Sequence, residues 1–349
     1  MPQPKVVIII INWNGWQDTI ECLESLFQIT YENYDVILAD NSSSDNSIER
    51  IKEYCSGKIH VKSIFFTYQP NNKPIALKEY RKAHLDAVER TDNLVRTLPA
   101  SKTITLIKNE KNYGFAEANN VSIKYALFAQ NPDYLLLLNN DTVVDNEFLT
   151  ELVKVAESDR SIGITGPKTY FYSEPAKLQS TWNTLNLLGG VIKNRGAGQI
   201  DLGHFNTNHQ TGYVFGSCFL IKRELLDEVG LMDQRFFAYW EDTDYCVRAS
   251  RLNFRCCYCW KAKIWHKISR SAKSGGVADY YGIRNKFWFM KKHANKVQYS
   301  VFLLFFATYK FWLISIIYLL KQKNLKSFYC FLKGIRHGIK KELRAQENL

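Results

Sequence analysis

The run "DYLLLLNND", residues 133–141, constrains the fold more than any other stretch of this 349-residue chain. Four consecutive leucines without polar alternation read as a strand buried on both faces, the kind found in parallel sheets covered by helices. The run stops at Asn139, Asn140 and Asp141, and the helix-like "NEFLTELV" follows. A core strand that delivers three polar side chains at its C-terminal tip marks either a turn or a site.

Two earlier segments repeat the pattern. "KVVIIIINW" reads as a strand ending in Asn12, Trp13 and Asn14, and "YDVILADNSSSDNS" as another ending in Asp40, Asn41 and Ser42. Between them, "GWQDTIECLESLFQ" carries Ile20, Leu23, Leu26 and Phe27 at helical spacing. "SIERIKEYC" and "EANNVSIKYALFAQ" read as further helices. The alternation predicts an α/β fold with a Rossmann-like, mainly parallel central sheet flanked by helices. Ligands of open α/β sheets bind outside the carboxyl ends of the strands, so three polar tips imply one shared pocket.

That pocket has neither G-x-G-x-x-G nor G-x-x-x-x-G-K-[ST], which counts against a dinucleotide enzyme and a P-loop NTPase. A diphosphate here needs another counter-charge, and a divalent cation on Asp141 supplies one, since magnesium typically uses one or two carboxylates plus phosphate oxygens. A second acidic cluster lies in "FFAYWEDTDYCVRASRLNFR", residues 236–255. Glu241, Asp242 and Asp244 follow an aromatic run whose partly apolar setting can raise a carboxyl pKa and ready it as a general base. Read as a helix, the segment also spaces Glu241, Tyr245 and Arg248 for a structural ion pair. His266 in "KIWHKISRS" stands alone and reads equally as a ligand or a structural histidine.

The formal charge is +12, and the 59 residues from Lys291 onward hold twelve Lys and Arg against Glu342 and Glu347. The first 290 residues are therefore nearly neutral, which argues against a nucleic-acid-binding surface. Eight cysteines show no secreted framework. Cys256, Cys257 and Cys259 in "FRCCYCW" read as small buried side chains rather than a zinc site. With no signal peptide visible, the chain is expected on the cytoplasmic side.

Residues 58–103 are polar and weakly patterned, and read as an insertion, partly helical or hairpin-like. Residues 167–213, rich in Gly, Asn and Thr, read as a long irregular excursion. "YSVFLLFFATYKFWLISIIYLL", residues 299–320, is long enough for a bilayer but carries Lys310 at its centre. With the basic, apolar helix pattern that follows, it suits an interfacial anchor on an anionic inner leaflet better than a clean span. A pair of helices packed on the core or on a partner chain is the competing reading. The division expected is a catalytic domain over 1–290 and a separable helical region over 291–349.

Taken in order, "IIIINWNGW", "ADNSSSDNS", "NYGFAEANN", "LLLLNNDTVV", "GSCFLIKRELLDEVGLMDQRFFAYWEDTDYCVR" and "IWHKISRS" resemble the motif series of glycosyltransferase family 2. Within it they are most similar to rhamnosyltransferase-like enzymes of GT-A fold. The resemblance covers residues 5 to about 290 apart from the insertion. It implies inverting transfer of a sugar from a nucleotide-diphosphate donor, dTDP-rhamnose or a UDP-sugar, to a hydroxyl of a glycan or lipid-linked acceptor. By that likeness Asn12, Asn14, Asp40 and Ser42 surround the nucleoside, while Asn112, Gly114 and Asn140 support the nucleotide and its diphosphate. Asp141 holds Mg or Mn with His266 close by, and Asp242, beside Glu241, is the base. Trp240 and Gly216 fall on the acceptor side. Asn139 departs from the family pattern, where an aspartate is common, so this motif gives the metal one carboxylate. A sugar-nucleotide pyrophosphorylase is a weaker reading, because "NWNGWQDT" lacks that class's glycine-rich basic loop. A non-catalytic membrane-associated scaffold would have no need of the intact "NND" and "EDTD" stretches.

Overall fold

The computed structural model describes residues 3–82, 103–268 and 276–340. Five parallel strands form one half of the main sheet: β1 (Val6–Asn12), β2 (Tyr34–Asp40), β3 (Ala76–Arg81), β4 (Thr103–Lys108) and β5 (Tyr134–Asn139), in the order β5-β1-β2-β4-β3. Helices α1 (Trp16–Leu26), α2 (Ser47–Cys55) and α3 (Gly114–Tyr125) make the crossovers. Alternate side chains of each apolar run enter different cores. Val6, Ile8, Ile10, Leu136 and Leu138 fill one, with Leu23, Leu26 and Phe148; Val7, Ile9, Leu135 and Leu137 fill the other, with Val121 and Phe219. Burial on both faces is what an unbroken leucine run requires. Each such side chain contributes about 1.5–3 kcal/mol.

The second half is mixed. β6 (Thr142–Val144) and α4 (Phe148–Glu157) lead into β7 (Ile162–Phe171), β8 (Glu174–Ser180), the hairpin β9 (Asn183–Asn186) and β10 (Val191–Asn194), and β11 (His209–Thr211). β12 (Cys218–Lys222) then runs antiparallel to both β5 and β7. Helices α5 (Arg223–Val229) and α6 (Glu241–Arg251) precede β13 (Arg255–His266), which is parallel to β7 and antiparallel to β6. Helix α7 (Val277–His293), the long α8 (Lys296–Lys321) and α9 (Leu325–Ile339) complete the described chain.

Three expectations change. The supposed insertion supplies β3, which extends the parallel sheet at its edge, and its Gln69 amide and Lys73 ammonium both bind the buried Glu24 carboxylate of α1; residues 83–102 lie outside the described residues. About half of the 167–213 excursion is strand, in the end of β7, β8, the β9–β10 hairpin and β11. Lastly, the boundary expected at 290/291 falls inside the last turn of α7, where Lys292 and His293 both bind Asp244 of α6, at 2.6 and 2.7 Å. Nor is the end of the chain separate: α9 packs along α7, so closely at Gly334 that an added Cβ would lie 2.4 Å from Ile283 Cγ2.

Candidate active site

Register brings the predicted strand tips to one edge. Asn12 of β1 pairs with Asp40 of β2, and Ile11 with Asn139 of β5. β12 enters antiparallel, so Gly216 and Ser217, just before it, arrive at the same edge; β13 ends there too, His266 opposite Thr142.

The residues expected on the nucleoside side are largely satisfied by one another. Asn12 Nδ2 donates to Asp40 Oδ1 (2.8 Å) and Ser43 Oγ (3.1 Å), while its own oxygen accepts from Thr19 (2.8 Å). Asp40 accepts also from the Ser43 hydroxyl and amide. Asn14 and Ser42 hold left-handed backbone, at φ 51° and 62°, and Asn14 Oδ1 accepts from the amides of Ser44 and Asp45. Asn140 donates to Thr19 Oγ1 (3.0 Å). Asn112 Oδ1 accepts from Asn41 Nδ2 and the Gly114 amide, each at 2.8 Å. These residues shape the loops at the rim, with Asn14 on the surface and Asn12 and Asp40 beneath it.

Asp141 is different. It is 2% exposed, Oδ1 lies 3.1 Å from His266 Nε2, and Oδ2 has no hydrogen-bond partner among the described residues. Gln179 Oε1, 2.7 Å from His266 Nδ1, fixes the ring. Burial pushes the Asp141 carboxyl upward, but His266 and Lys267 outweigh it and hold the group below its ordinary value. An orphaned buried carboxylate oxygen beside an oriented imidazole fits a divalent cation, whose remaining positions substrate oxygens and water would fill.

At the start of α6, Asp242 Oδ2 accepts from the Gly216 amide (2.9 Å) and Oδ1 from the Thr243 amide (2.6 Å). The neighbouring Ser217 carbonyl accepts from the Asn139 amide (2.9 Å). Two consecutive residues thus join the Asp242 carboxylate to the strand tip that carries Asp141. Burial raises the Asp242 pKa, and its three donors restrain the rise. Glu241 is 5% exposed and its Oε2 has no hydrogen-bond partner among the described residues; burial, then the adjacent Asp242, drives its pKa well up. Both carboxyls are thus raised, Glu241 by burial and its charged neighbour, Asp242 by burial offset by its donors. The ion pair considered for Glu241 belongs to Asp244, which binds Arg248 Nε at 2.9 Å.

The loop before α6 is strained. Phe237, Tyr239 and Trp240 all have positive φ, at 64°, 68° and 76°, each costing about 1–3 kcal/mol that the surroundings must supply. Trp240 turns away from the cleft, its indole donating to Gly282 O (3.0 Å) and packing on Phe289, whereas Tyr239 is 37% exposed. A cavity of about 850 Å³ lies elsewhere, lined by Trp182, Leu185, Phe205 and His209, and holds none of the predicted site residues.

The family model for "Glycosyltransferase like family 2" matches residues 2–279. The chain belongs to glycosyltransferase family 2. It is therefore an enzyme that transfers sugar from a sugar-nucleotide donor, which sets aside the pyrophosphorylase and scaffold readings. It is 22% identical over 259 residues to the low-salt glycan biosynthesis hexosyltransferase Agl10 of Haloferax volcanii, covering 70% of this chain and 79% of that one. Against the dTDP-rhamnosyl transferase RfbF of Shigella flexneri it is 23% identical over 256 residues, covering 67% and 81%. The mannosyltransferase PcManGT of Pyrobaculum calidifontis, solved with GDP-Man and Mn2+, shares its fold at a TM-score of 0.55 and 11% identity, over 98% of this chain and 89% of that one.

Sequence reading missed several groups in this glycosyltransferase site. Gln179 lies in a polar strand without a motif, 87 residues from the histidine it orients. Asn41 was visible at a strand tip, yet not as the hub that binds Asn112, Asn109 and the Tyr113 amide. Arg284 and Asn285 sit on α7, a segment to which sequence reading assigned neither an element nor a motif.

Proposed function

We propose that this enzyme inverts the sugar's anomeric centre in a single displacement, with Asp242 as the base and the donor diphosphate at Asp141 and His266. The observation that carries the reading is the join through Gly216 and Ser217, which supports one cleft between the two carboxylates. Asn12, Asn14, Asp40, Ser42, Asn112, Gly114 and Asn140 frame the nucleotide side. Asp242 takes the acceptor's proton as its oxygen attacks, worth about 10²–10⁴-fold in rate. Glu241 stays neutral behind it. Mg or Mn at Asp141 and His266 would, when bound, stabilise charge on the leaving diphosphate as a Lewis acid.

The likeness to Agl10, a glycan-biosynthesis hexosyltransferase, and to RfbF, a dTDP-rhamnosyl transferase, supports a glycan as acceptor and dTDP-rhamnose as donor, with a UDP-sugar as the alternative donor from the motif resemblance. Helix α8 supports a membrane-bound acceptor: it is 26 residues long with mean hydropathy 1.9, and Val297, Leu304, Trp312 and Leu320 are exposed along it. Basic residues follow in α9, as an anionic inner leaflet would favour. Residues 299–349 then hold the enzyme on the cytoplasmic membrane, the part from 341 onward lying outside the described residues.

The test is a panel of nucleotide sugars scored for thermal stabilisation and turnover, with Mn and with chelator. Stabilisation by dTDP-rhamnose or a UDP-sugar that requires the cation supports the reading. Cation-independent binding of every active donor would overturn it.

A further inference from the structure

Every backbone carbonyl from Arg235 to Tyr239 is bound by a group remote in sequence. Arg284 NH2 donates to Arg235 O and Phe236 O, each at 3.1 Å. The Asn285 amide nitrogen lies 2.7 Å from Phe236 O, 2.7 Å from Ala238 O and 2.8 Å from Tyr239 O. Phe237 O accepts from the amides of Phe115 and Ala116 at the start of α3. The Asn285 orientation is set independently, since its oxygen accepts from Arg284 Nε at 2.9 Å. Both side chains are buried, Asn285 at 0% and Arg284 at 4% exposure, and the guanidinium is 4.0 Å from the Trp288 ring centroid.

These carbonyls belong to the segment holding three non-glycine residues at positive φ, immediately before Glu241 and Asp242. Left-handed backbone at aromatic residues persists only where the surroundings over-determine it. The opposite side of the segment is equally tight: Gly114 itself has φ 75°, and a Cβ there would lie 2.5 Å from Phe237. α9 braces the far face of α7, with Gly338 so close that a Cβ would meet Phe287 Cβ at 2.8 Å and Arg284 O at 3.0 Å.

We propose that Asn285, seated by Arg284, is the positioning residue of the acceptor side: from α7 it locks residues 235–240 in the conformation that presents Tyr239 and Asp242 to the cleft. It touches no reacting atom and acts through the loop. The proposal rests on the assignment of Asp242 as the base, and it makes the C-terminal helices part of the catalytic machinery. Asn285→Asp keeps size and shape but sets a carboxylate, which cannot donate, against three carbonyl oxygens.

The test combines hydrogen exchange with kinetics on the full chain. In Asn285→Asp, amides of residues 235–242 should exchange at least about tenfold faster while those of β1 and β5 are unchanged. With the donor found active in the panel, kcat should fall about 100-fold, as misplacement of a reacting group does. Affinity for UDP or dTDP in the presence of MnCl2 should stay within about twofold, separating orientation from donor binding. Wild-type loop exchange with wild-type kcat would overturn the proposal, as would loss of nucleotide affinity with kcat preserved. If Asn285→Asp does not fold, Arg284→Lys, which keeps the charge but loses the planar fork, should speed loop exchange at unchanged melting temperature; no change there overturns it. Asp242→Asn separates the two claims: it should abolish turnover and leave loop exchange at the wild-type rate. Turnover retained in Asp242→Asn would sink the base assignment while the exchange data still decide the role of Asn285.

Discussion

The two sides proposed for the cleft, nucleotide and acceptor, are built by opposite means. On the nucleotide side, Asn12, Thr19, Asp40, Ser43 and Asn140 satisfy one another across neighbouring strand ends. On the acceptor side, residues 235–240 are held in strained backbone by partners 46 to 49 residues away. The first arrangement follows from strand register. The second draws its partners from α7 and the start of α3. The carboxyls whose pKa burial raises, Glu241 and Asp242, follow the second.

The largest effect should come from Asp242→Asn. Turnover should fall about 10²–10⁴-fold, with nucleotide affinity measured by calorimetry nearly unchanged. Because the Asp242 pKa is raised, the protonated, inactive form persists to higher pH, so the acid limb of the wild-type pH–rate profile should lie above the ordinary aspartate value of about 3.9. A limb at or below that value contradicts the environment described.

Lys73→Met attacks the other side's support. It leaves Glu24 buried without its cation, costing about 3–5 kcal/mol in urea unfolding, while kcat of the folded enzyme stays near wild type. A kcat collapse at full stability would show that the nucleotide side is not the rigid scaffold it resembles.

A smaller loss is expected for Gln179→Leu, which frees the His266 ring. Outer-partner losses cost about 10–100-fold in metal affinity, and titration of Mn dependence measures it; an unchanged Mn requirement would remove His266 from the metal.

Smallest of all is Glu241→Gln. A buried acid with a raised pKa binds its proton more tightly folded than unfolded. Its stabilising contribution is therefore complete below the unfolded value of about 4.3 and is lost as pH rises toward the folded one. Glutamine removes that loss, so the variant should melt higher than wild type at neutral pH, with the gap closing in acid. Turnover should change by less than about tenfold. A Glu241→Gln enzyme as inactive as Asp242→Asn would exchange the two roles.

The same contrast explains what was legible in the sequence. Apolar runs ending in polar tips, such as "VVIIIINW" and "YLLLLNND", announce buried parallel strands and a pocket, and the register aligned those tips as expected. β3 was missed because "ALKEYR" is a charged edge strand, whose Glu79 pairs with Lys52 and Lys108 rather than joining a core. β8 and β9 were missed because exposed, polar strands lack the apolar period that reading depends on. The sequence reading gave the structural ion pair to Glu241, but Glu241 is seven residues from Arg248, and Asp244, four residues before it, takes the guanidinium. The segment carrying Arg284 and Asn285 was not read as any element, and nothing local says that its polar groups face a distant loop. Cutting the chain at 290/291 followed composition, and composition changes where the surface changes rather than where a helix ends.

The central claim is that Asp141 with His266 and Asp242 flank a single sugar. A crystal structure of the full chain with Mn2+ and the donor identified in the panel, with anomalous scattering locating the manganese, tests it most directly. The account predicts manganese on Asp141 and His266, bridging to the diphosphate, with the anomeric carbon turned toward Asp242. Manganese bound elsewhere, or a sugar with Asp242 on its diphosphate face or out of reach, would contradict it.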